Sequence, residues 1–146
     1  MKKQNKAHFN INFLDLPTTD SNDKLMYIDY FLNYDPNKWK KGSGGASFVY
    51  IEMDKIYSLV INEHSKYGFN LMYEPSHNGN GCYSLGDSSL LNEFIEDNEE
   101  NFMPVGTYIS ADKAWLVVED FLNNPKIASN RIQWVSDDDI EWNYDY

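Results

Sequence analysis

The residues that could support metal chemistry in this chain are three histidines and one cysteine. His8, His64 and His77 lie far apart in the sequence, and none forms the i, i+4 pair that binds a metal ion on a helix. Cys82 follows His77 by five residues, but a structural zinc ion needs about four ligands and the chain has no second cysteine. These residues therefore predict no metal site.

Carboxylates are the other abundant chemical groups. The run Asp137–Asp139 with Glu141 could ligate calcium, but the calcium-binding loop needs a central glycine, which this run lacks. The paired carboxylates of glycoside hydrolysis remain open, because an acidic chain supplies many candidates. A small acid/base enzyme is therefore an alternative interpretation. It requires a pocket in which two carboxylates shift each other's pKa.

Nucleotide binding and nucleophilic catalysis lack their usual sequence patterns. Lys40 and Lys41 precede the glycines at 42, 44 and 45, whereas the Walker phosphate loop places lysine after its last glycine. No Gly-x-Ser-x-Gly nucleophile elbow occurs in the chain. We therefore predict a protein that is not an enzyme and needs no cofactor.

The distribution of charge indicates a binding function more directly. Residues 1–86 carry nine acidic and nine basic side chains, so the net charge of −11 comes entirely from residues 87–146. Such a field repels nucleic acid and anionic membranes and attracts basic proteins. A solvated acidic surface that only aids solubility is the alternative.

Two clusters dominate the acidic region, and Trp142 could supply an apolar anchor beside the second of them. We predict that these residues bind a basic protein partner: Glu93, Glu96, Asp97, Glu99, Glu100, Asp137, Asp138, Asp139, Glu141 and Trp142. A terminal segment whose Trp142 folds back on the sheet is an equally acceptable interpretation of the tail.

Hydrophobic periodicity predicts an α+β fold, an antiparallel meander of five to six strands packed by two main helices near residues 21–34 and 110–123. In the second helix Trp115, Val118, Phe121 and Leu122 share one face, which should lie on the sheet with Trp134 near it. Ser110 is the expected N-cap. Residues 35–45 are expected to form a loop, 87–100 a helix or a strand, and 102–109 an edge strand or a loop.

The chain is expected to form a single domain over residues 1–146, with loose termini at 1–7 and 137–146. No apolar run approaches the roughly 20 residues that span a bilayer. The single cysteine fits a reducing compartment, so a cytoplasmic location is expected.

Three segments resemble the first family of bacterial polymorphic-toxin immunity proteins. They are the glycine-rich entry to a hairpin (44–61), the strand and turn from Phe69 to Leu85, and the helix that ends in Phe121-Leu122 before Pro125 and Ile132-Gln133-Trp134. Asn123 and Asn124 stand where the family usually has glycine. The resemblance covers roughly residues 20 to 135, so the acidic tail lies outside it.

The resemblance implies a small cytoplasmic α+β protein that binds and neutralises a cognate toxin, often a nuclease or deaminase, without catalytic residues of its own. A toxin that acts on nucleic acid needs a basic cleft, which fits the acidic clusters. A regulatory or scaffold module that binds another basic protein is the alternative function. The oligomeric state is left open.

Overall fold

Nine strands and three α-helices form the part of the chain that the computed structural model describes, residues 6–41, 45–77, 81–96 and 102–142. The helices are α1 (Ile28–Leu32), α2 (Pro36–Lys40) and α3 (Ala111–Asn123). The strands are β1 (His8–Phe13), β2 (Gly45–Glu52), β3 (Lys55–His64), β4 (Gly68–Pro75), β5 (Cys82–Leu85), β6 (Phe94–Glu96), β7 (Phe102–Pro104), β8 (Tyr108–Ile109) and β9 (Gln133–Ser136).

Seven of these strands form one antiparallel sheet in the order β1-β2-β3-β4-β5-β9, with β8 paired to the first residues of β4. The first five strands follow one another as a meander, and β9 returns from late in the chain to pair with β5. Strands β6 and β7 form a separate two-stranded hairpin. The predicted α+β class and antiparallel meander are confirmed, with seven strands in the main sheet rather than five to six.

Helix α3 covers one face of the sheet through the predicted apolar stripe. Its residues Trp115, Val118, Phe121 and Leu122 are buried in the main hydrophobic core. Trp134 of β9 lies beside them, with its ring centroid 6.3 Å from that of Tyr73. Tyr73 also contacts Phe121, so Trp134 packs against the same core as the helical stripe, near the position that the sequence predicted.

The start of α3 lies at the predicted position but lacks the predicted capping hydrogen bond. Ser110 is the N-cap, but its side chain accepts no amide hydrogen bond and its hydroxyl instead donates to the Asp112 carboxylate at 2.5 Å. That charge-assisted hydrogen bond outcompetes the expected cap. The Asp112 carboxylate, in turn, suits the positive end of the helix dipole.

The first helical region is less regular than predicted. A turn of 3-10 helix, Lys24–Met26, precedes α1, and the expected loop over 35–45 begins instead with α2. Helix α2 starts because the Asp35 side chain accepts a hydrogen bond from the Asn37 amide and Pro36 fits the first helical position. It places Trp39, which has no exposed surface, between Phe13 and Phe69 with ring centroids 5.3 and 4.9 Å away.

The turn between β3 and β4 depends on a glycine. Gly68 has φ of +103°, and a Cβ atom at this position would lie 2.3 Å from the backbone oxygen of Ile109 in β8. Both the backbone angle and the close approach of β8 exclude a larger side chain. The glycine therefore lets β8 pair with the start of β4.

The acidic segment 87–109 forms strands and turns among its described residues. The sequence left open whether this segment forms a helix or a strand, and Phe94–Glu96 forms the strand β6. Strand β7 ends at Pro104. A 3-10 turn, Val105–Thr107, then reaches the sheet, where the buried hydroxyl of Thr107 accepts a hydrogen bond from the Asn70 amide at 2.7 Å. The Ser84 hydroxyl donates to the Thr107 carbonyl at 2.7 Å. These hydrogen bonds fix Thr107 against the sheet, and the Val105 amide donates to the Glu93 carbonyl at 2.6 Å, which links Glu93 to the same turn.

Candidate partner-binding surface

Three aromatic rings form a small cluster beside β5 and the β6–β7 hairpin. The Trp142 ring lies 5.6 Å from the Tyr83 ring and 6.0 Å from the Phe94 ring, measured between centroids. Tyr83 alternates with Cys82 and Ser84 along β5, so it points away from the side of the sheet that these two residues face. The cluster therefore connects the tail of the chain to the hairpin.

The local sequence explains how Trp142 reaches this position. Ser136 ends β9 and its hydroxyl accepts a hydrogen bond from the Asp138 amide at 3.2 Å, which starts a 3-10 turn over Asp137–Asp139. Ile140 follows and is buried, and the Trp142 indole donates to the Asp137 carbonyl at 3.3 Å. The interpretation in which Trp142 folds back on the sheet is the one that the structure adopts for this residue.

Seven of the ten predicted partner-binding residues lie in the described part of the chain. Six of them are exposed carboxylates: Glu93, Glu96, Asp137, Asp138, Asp139 and Glu141. Trp142 is half-buried. Asp97, Glu99 and Glu100 fall outside the described residues.

The contact between Phe94 and Trp142 brings together the segments that carry Glu93 and Glu141. Glu93 precedes Phe94 in the chain and Glu141 precedes Trp142, so each ring carries a carboxylate neighbour to the same region. We call the six exposed carboxylates together with Trp142 the acidic surface. Phe94 and Trp142 are 48 residues apart in the sequence, so the sequence analysis did not predict this proximity.

No basic side chain in the described part of the chain pairs with a carboxylate of the acidic surface. The ion pairs there involve Glu52, Glu119 and Asp120, which bind Lys126, Lys24 and Arg131. Residues 87–146 contain three basic side chains. Lys126 and Arg131 pair with these other carboxylates, and Lys113 forms no ion pair among the described residues. The six carboxylates of the acidic surface thus form no ion pair within the described part of the chain.

The carboxylates of Asp120 and Glu119, which pair with Arg131, hold parts of the fold together. Its guanidinium donates to Asp120 at 2.7 and 3.0 Å and to Glu119 at 2.9 Å, and so ties the segment before β9 to α3. Burial acts to raise the pKa of Asp120, but hydrogen bonds from Arg131 and Ser129 outweigh it and leave that pKa below its usual value. Hydrogen bonds from Arg131 and Lys24 lower the pKa of Glu119. These two acids are structural.

Glu63 is the one carboxylate that is fully buried among the described residues. Burial raises its pKa, although the hydrogen bond from the Tyr34 hydroxyl acts in the opposite direction. The charged neighbours that act on it are His64 and Lys40, both of which lower the pKa. Among the described residues, these causes of the shift include no second carboxylate, whereas the acid/base interpretation requires a coupled pair.

Other kinds of site receive no support from the described residues. No three His, Cys, Asp or Glu side chains in this part of the chain come together as metal ligands. Burial raises the pKa of the Cys82 thiol to about 11, which keeps it protonated and unreactive at neutral pH. None of the helices in these residues is long and apolar enough to cross a membrane.

A shallow depression of about 430 Å³ lies at the start of β9. Residues from β5, β8, α3 and β9 and from the segment before β9 line it: Leu85, Gly86, Ile109, Lys113, Asn130, Arg131, Ile132 and Gln133. Lys113 is the lining residue whose charge forms no ion pair among the described residues, since Arg131 pairs with Asp120 and Glu119, whereas the other end of β9 leads into the three aspartates of the acidic surface.

Comparison with known proteins gives no relative: the chain matches no protein-family model, no curated protein and no solved structure.

Proposed function

We propose that this chain is an immunity protein that binds a cognate bacterial toxin and neutralises it by direct contact. The observation that carries the proposal is the acidic surface, whose six exposed carboxylates form no ion pair among the described residues and whose half-buried Trp142 contacts Phe94, the neighbour of Glu93. A toxin that acts on nucleic acid carries basic side chains for phosphate groups. These side chains are the natural partners of unpaired carboxylates.

The chemistry of the acidic surface suits an inhibitor. Carboxylates that face solvent accelerate encounter with a basic protein through long-range attraction, and Trp142 offers an aromatic anchor of the kind that dominates binding energy. The remaining acids near α3 are held by Arg131 and Lys24, so their role is in the fold. Binding by the acidic surface would place carboxylates where the toxin binds phosphate, and would thereby block its active site.

The test begins with the genes beside the one that encodes this chain. The toxin domain encoded there should arrest growth when expressed alone, and co-expression of the full chain should restore growth. The two purified proteins should form a stable complex in size-exclusion chromatography. Growth arrest that persists on co-expression, or the absence of any complex, contradicts the proposal.

The alternative of a scaffold module for another basic protein makes a different prediction in the same experiment. The chain would then leave the neighbouring toxin active, yet it would still bind a basic partner in a salt-dependent way. Growth rescue therefore separates the two functions.

A further inference from the structure

The two edge strands of the seven-stranded sheet, β1 and β9, differ in whether other backbone covers their outer side. On the outer side of β1, the Ile11 amide donates to the Thr19 carbonyl at 2.8 Å and the Thr19 amide donates back to the Ile11 carbonyl at 3.1 Å. This bridge covers the middle of β1, and Pro17 lies just before it. An edge protected in this way resists pairing with another strand.

Strand β9 forms the opposite edge and has no such cover from the described residues. The Asp137 amide donates to the Gly81 carbonyl at 3.0 Å, which makes Asp137 and Gly81 a hydrogen-bonded pair. In an antiparallel ladder such pairs alternate with pairs whose backbone groups point away from each other. The register of Ser136 with Cys82 and of Trp134 with Ser84 therefore directs the amides and carbonyls of Trp134 and Ser136 outward.

We propose that β9 is a docking strand, to which the partner adds an extended segment that carries lysine or arginine at the end beside Asp137–Asp139. The inference rests on the proposed function, because it describes how the same partner binds the acidic surface. Backbone hydrogen bonds give such strand addition its affinity, and flanking side chains give it specificity.

Charge determines the chemistry of the added segment. At one end of β9 the segment meets three exposed aspartates that bind no cation in the described part of the chain. At the other end it meets the depression lined by Lys113 and Gln133. Basic side chains are therefore favoured near Ser136 and disfavoured near Gln133.

The conformation of Ser136 allows a selective test. Its φ of −67° is the angle that proline requires, and its amide points outward, so Ser136→Pro removes one edge donor without removing a bond to β5. Ser136→Ala is the matched control, because both variants lose the hydroxyl that accepts from the Asp138 amide and only Ser136→Pro loses the edge amide.

Two probes should be used with the full chain: the toxin domain encoded beside it, and a synthetic eight-residue peptide of alternating lysine and valine. We expect Ser136→Pro to weaken binding of both at least tenfold, and Ser136→Ala to weaken it less than threefold. In the wild type, the Trp134 amide should become protected from hydrogen exchange on binding, which provides a measurement that does not depend on how the proline variant folds.

Equal binding by the two variants, or a Trp134 amide whose exchange is unchanged in the complex, overturns the docking strand. If the toxin still binds and is neutralised in that case, the proposed function stands and uses another surface. If the toxin does not bind but the peptide protects Trp134, the docking strand stands and the immunity function is wrong.

Discussion

Phe94 and Trp142 lie in contact, with ring centroids 6.0 Å apart and planes inclined at 54°. Phe94 belongs to the β6–β7 hairpin and Trp142 to the segment that follows β9, so this contact joins the chain beside Glu93 and Glu96 to the chain beside Glu141. The account of function depends on that proximity. A partner can meet both clusters at once only if the two segments stay side by side.

Trp142→Ala should therefore weaken partner binding by about 2 kcal/mol or more, because it removes an aromatic anchor and releases the tail from the hairpin. Trp142→Phe should retain most of the affinity, since it keeps a ring against Tyr83 and Phe94. Isothermal titration with the toxin domain measures both variants. Equal affinity for Trp142→Ala and the wild type would show that this residue has no part in the interface.

Phe121→Ala should lower the free energy of unfolding by about 3–5 kcal/mol, as expected for a buried aromatic side chain. Phe121 is only 2% exposed and lies between α3 and the sheet, where it contacts Phe48 and Tyr73. Ile127→Ala is the control, because Ile127 is 64% exposed and should change stability by less than about 0.5 kcal/mol. Similar urea midpoints for the two variants would contradict the packing described here.

The sequence predicted best the elements in which a hydrophobic pattern repeats over many residues. Helix α3 runs for thirteen residues with a regular apolar stripe, at nearly the predicted bounds of 110–123. Helix α2 was missed because five residues are too few for periodicity, although Asp35 followed by Pro36 is a recognisable start signal. Trp39 consequently entered the core from a segment interpreted as a loop.

The candidate surface was predictable only in part. Exposed carboxylates after residue 86 follow from composition, but their approach depends on the return of β9 to β5 and on the Phe94–Trp142 contact. Both are long-range pairings, which local patterns do not encode. The burial of Glu63 was also not predicted. Glu63 lies on the buried face of β3, where a hydrophobic residue would be expected.

Arg131→Met should remove part of the acid sensitivity of the fold. The pKa values of Glu119 and Asp120 lie below their usual range, so their contribution to stability is full above the unfolded pKa of about 4 and is lost as pH falls through the folded values. Arg131→Met should thus lower Tm at pH 7 and flatten the fall of Tm below about pH 4.

Lys113→Met is the control for this pH series, because Lys113 pairs with no carboxylate among the described residues. Thermal melts followed by circular dichroism give both curves. A decline of Tm in acid that is equally steep for Arg131→Met and the wild type would exclude a role for this ion-pair network.

Glu63→Gln should have the opposite pH dependence. Burial raises the pKa of Glu63, so the folded state binds its proton more tightly than the unfolded state, whose value is about 4.3. Stability is lost as pH rises through the raised folded pKa. The difference in Tm between Glu63→Gln and the wild type should therefore shift in favour of the variant between pH 4 and pH 8. A difference that stays constant over this range contradicts the assignment.

The central claim is that the acidic surface binds a basic partner, and association kinetics test it most directly. The triple variant Asp137→Lys, Asp138→Lys and Asp139→Lys should associate with the toxin domain at least tenfold more slowly than the wild type at low ionic strength. The wild-type rate should fall as salt is raised, because screening weakens the attraction.

The matched control changes three exposed acids elsewhere by the same charge, Asp15→Lys, Asp20→Lys and Asp54→Lys. Surface-plasmon measurements of the three proteins at two ionic strengths decide the question. The account predicts that the control loses much less of the wild-type rate than the triple variant does. Equal association rates for the triple variant, the control and the wild type, unaffected by salt, would contradict it.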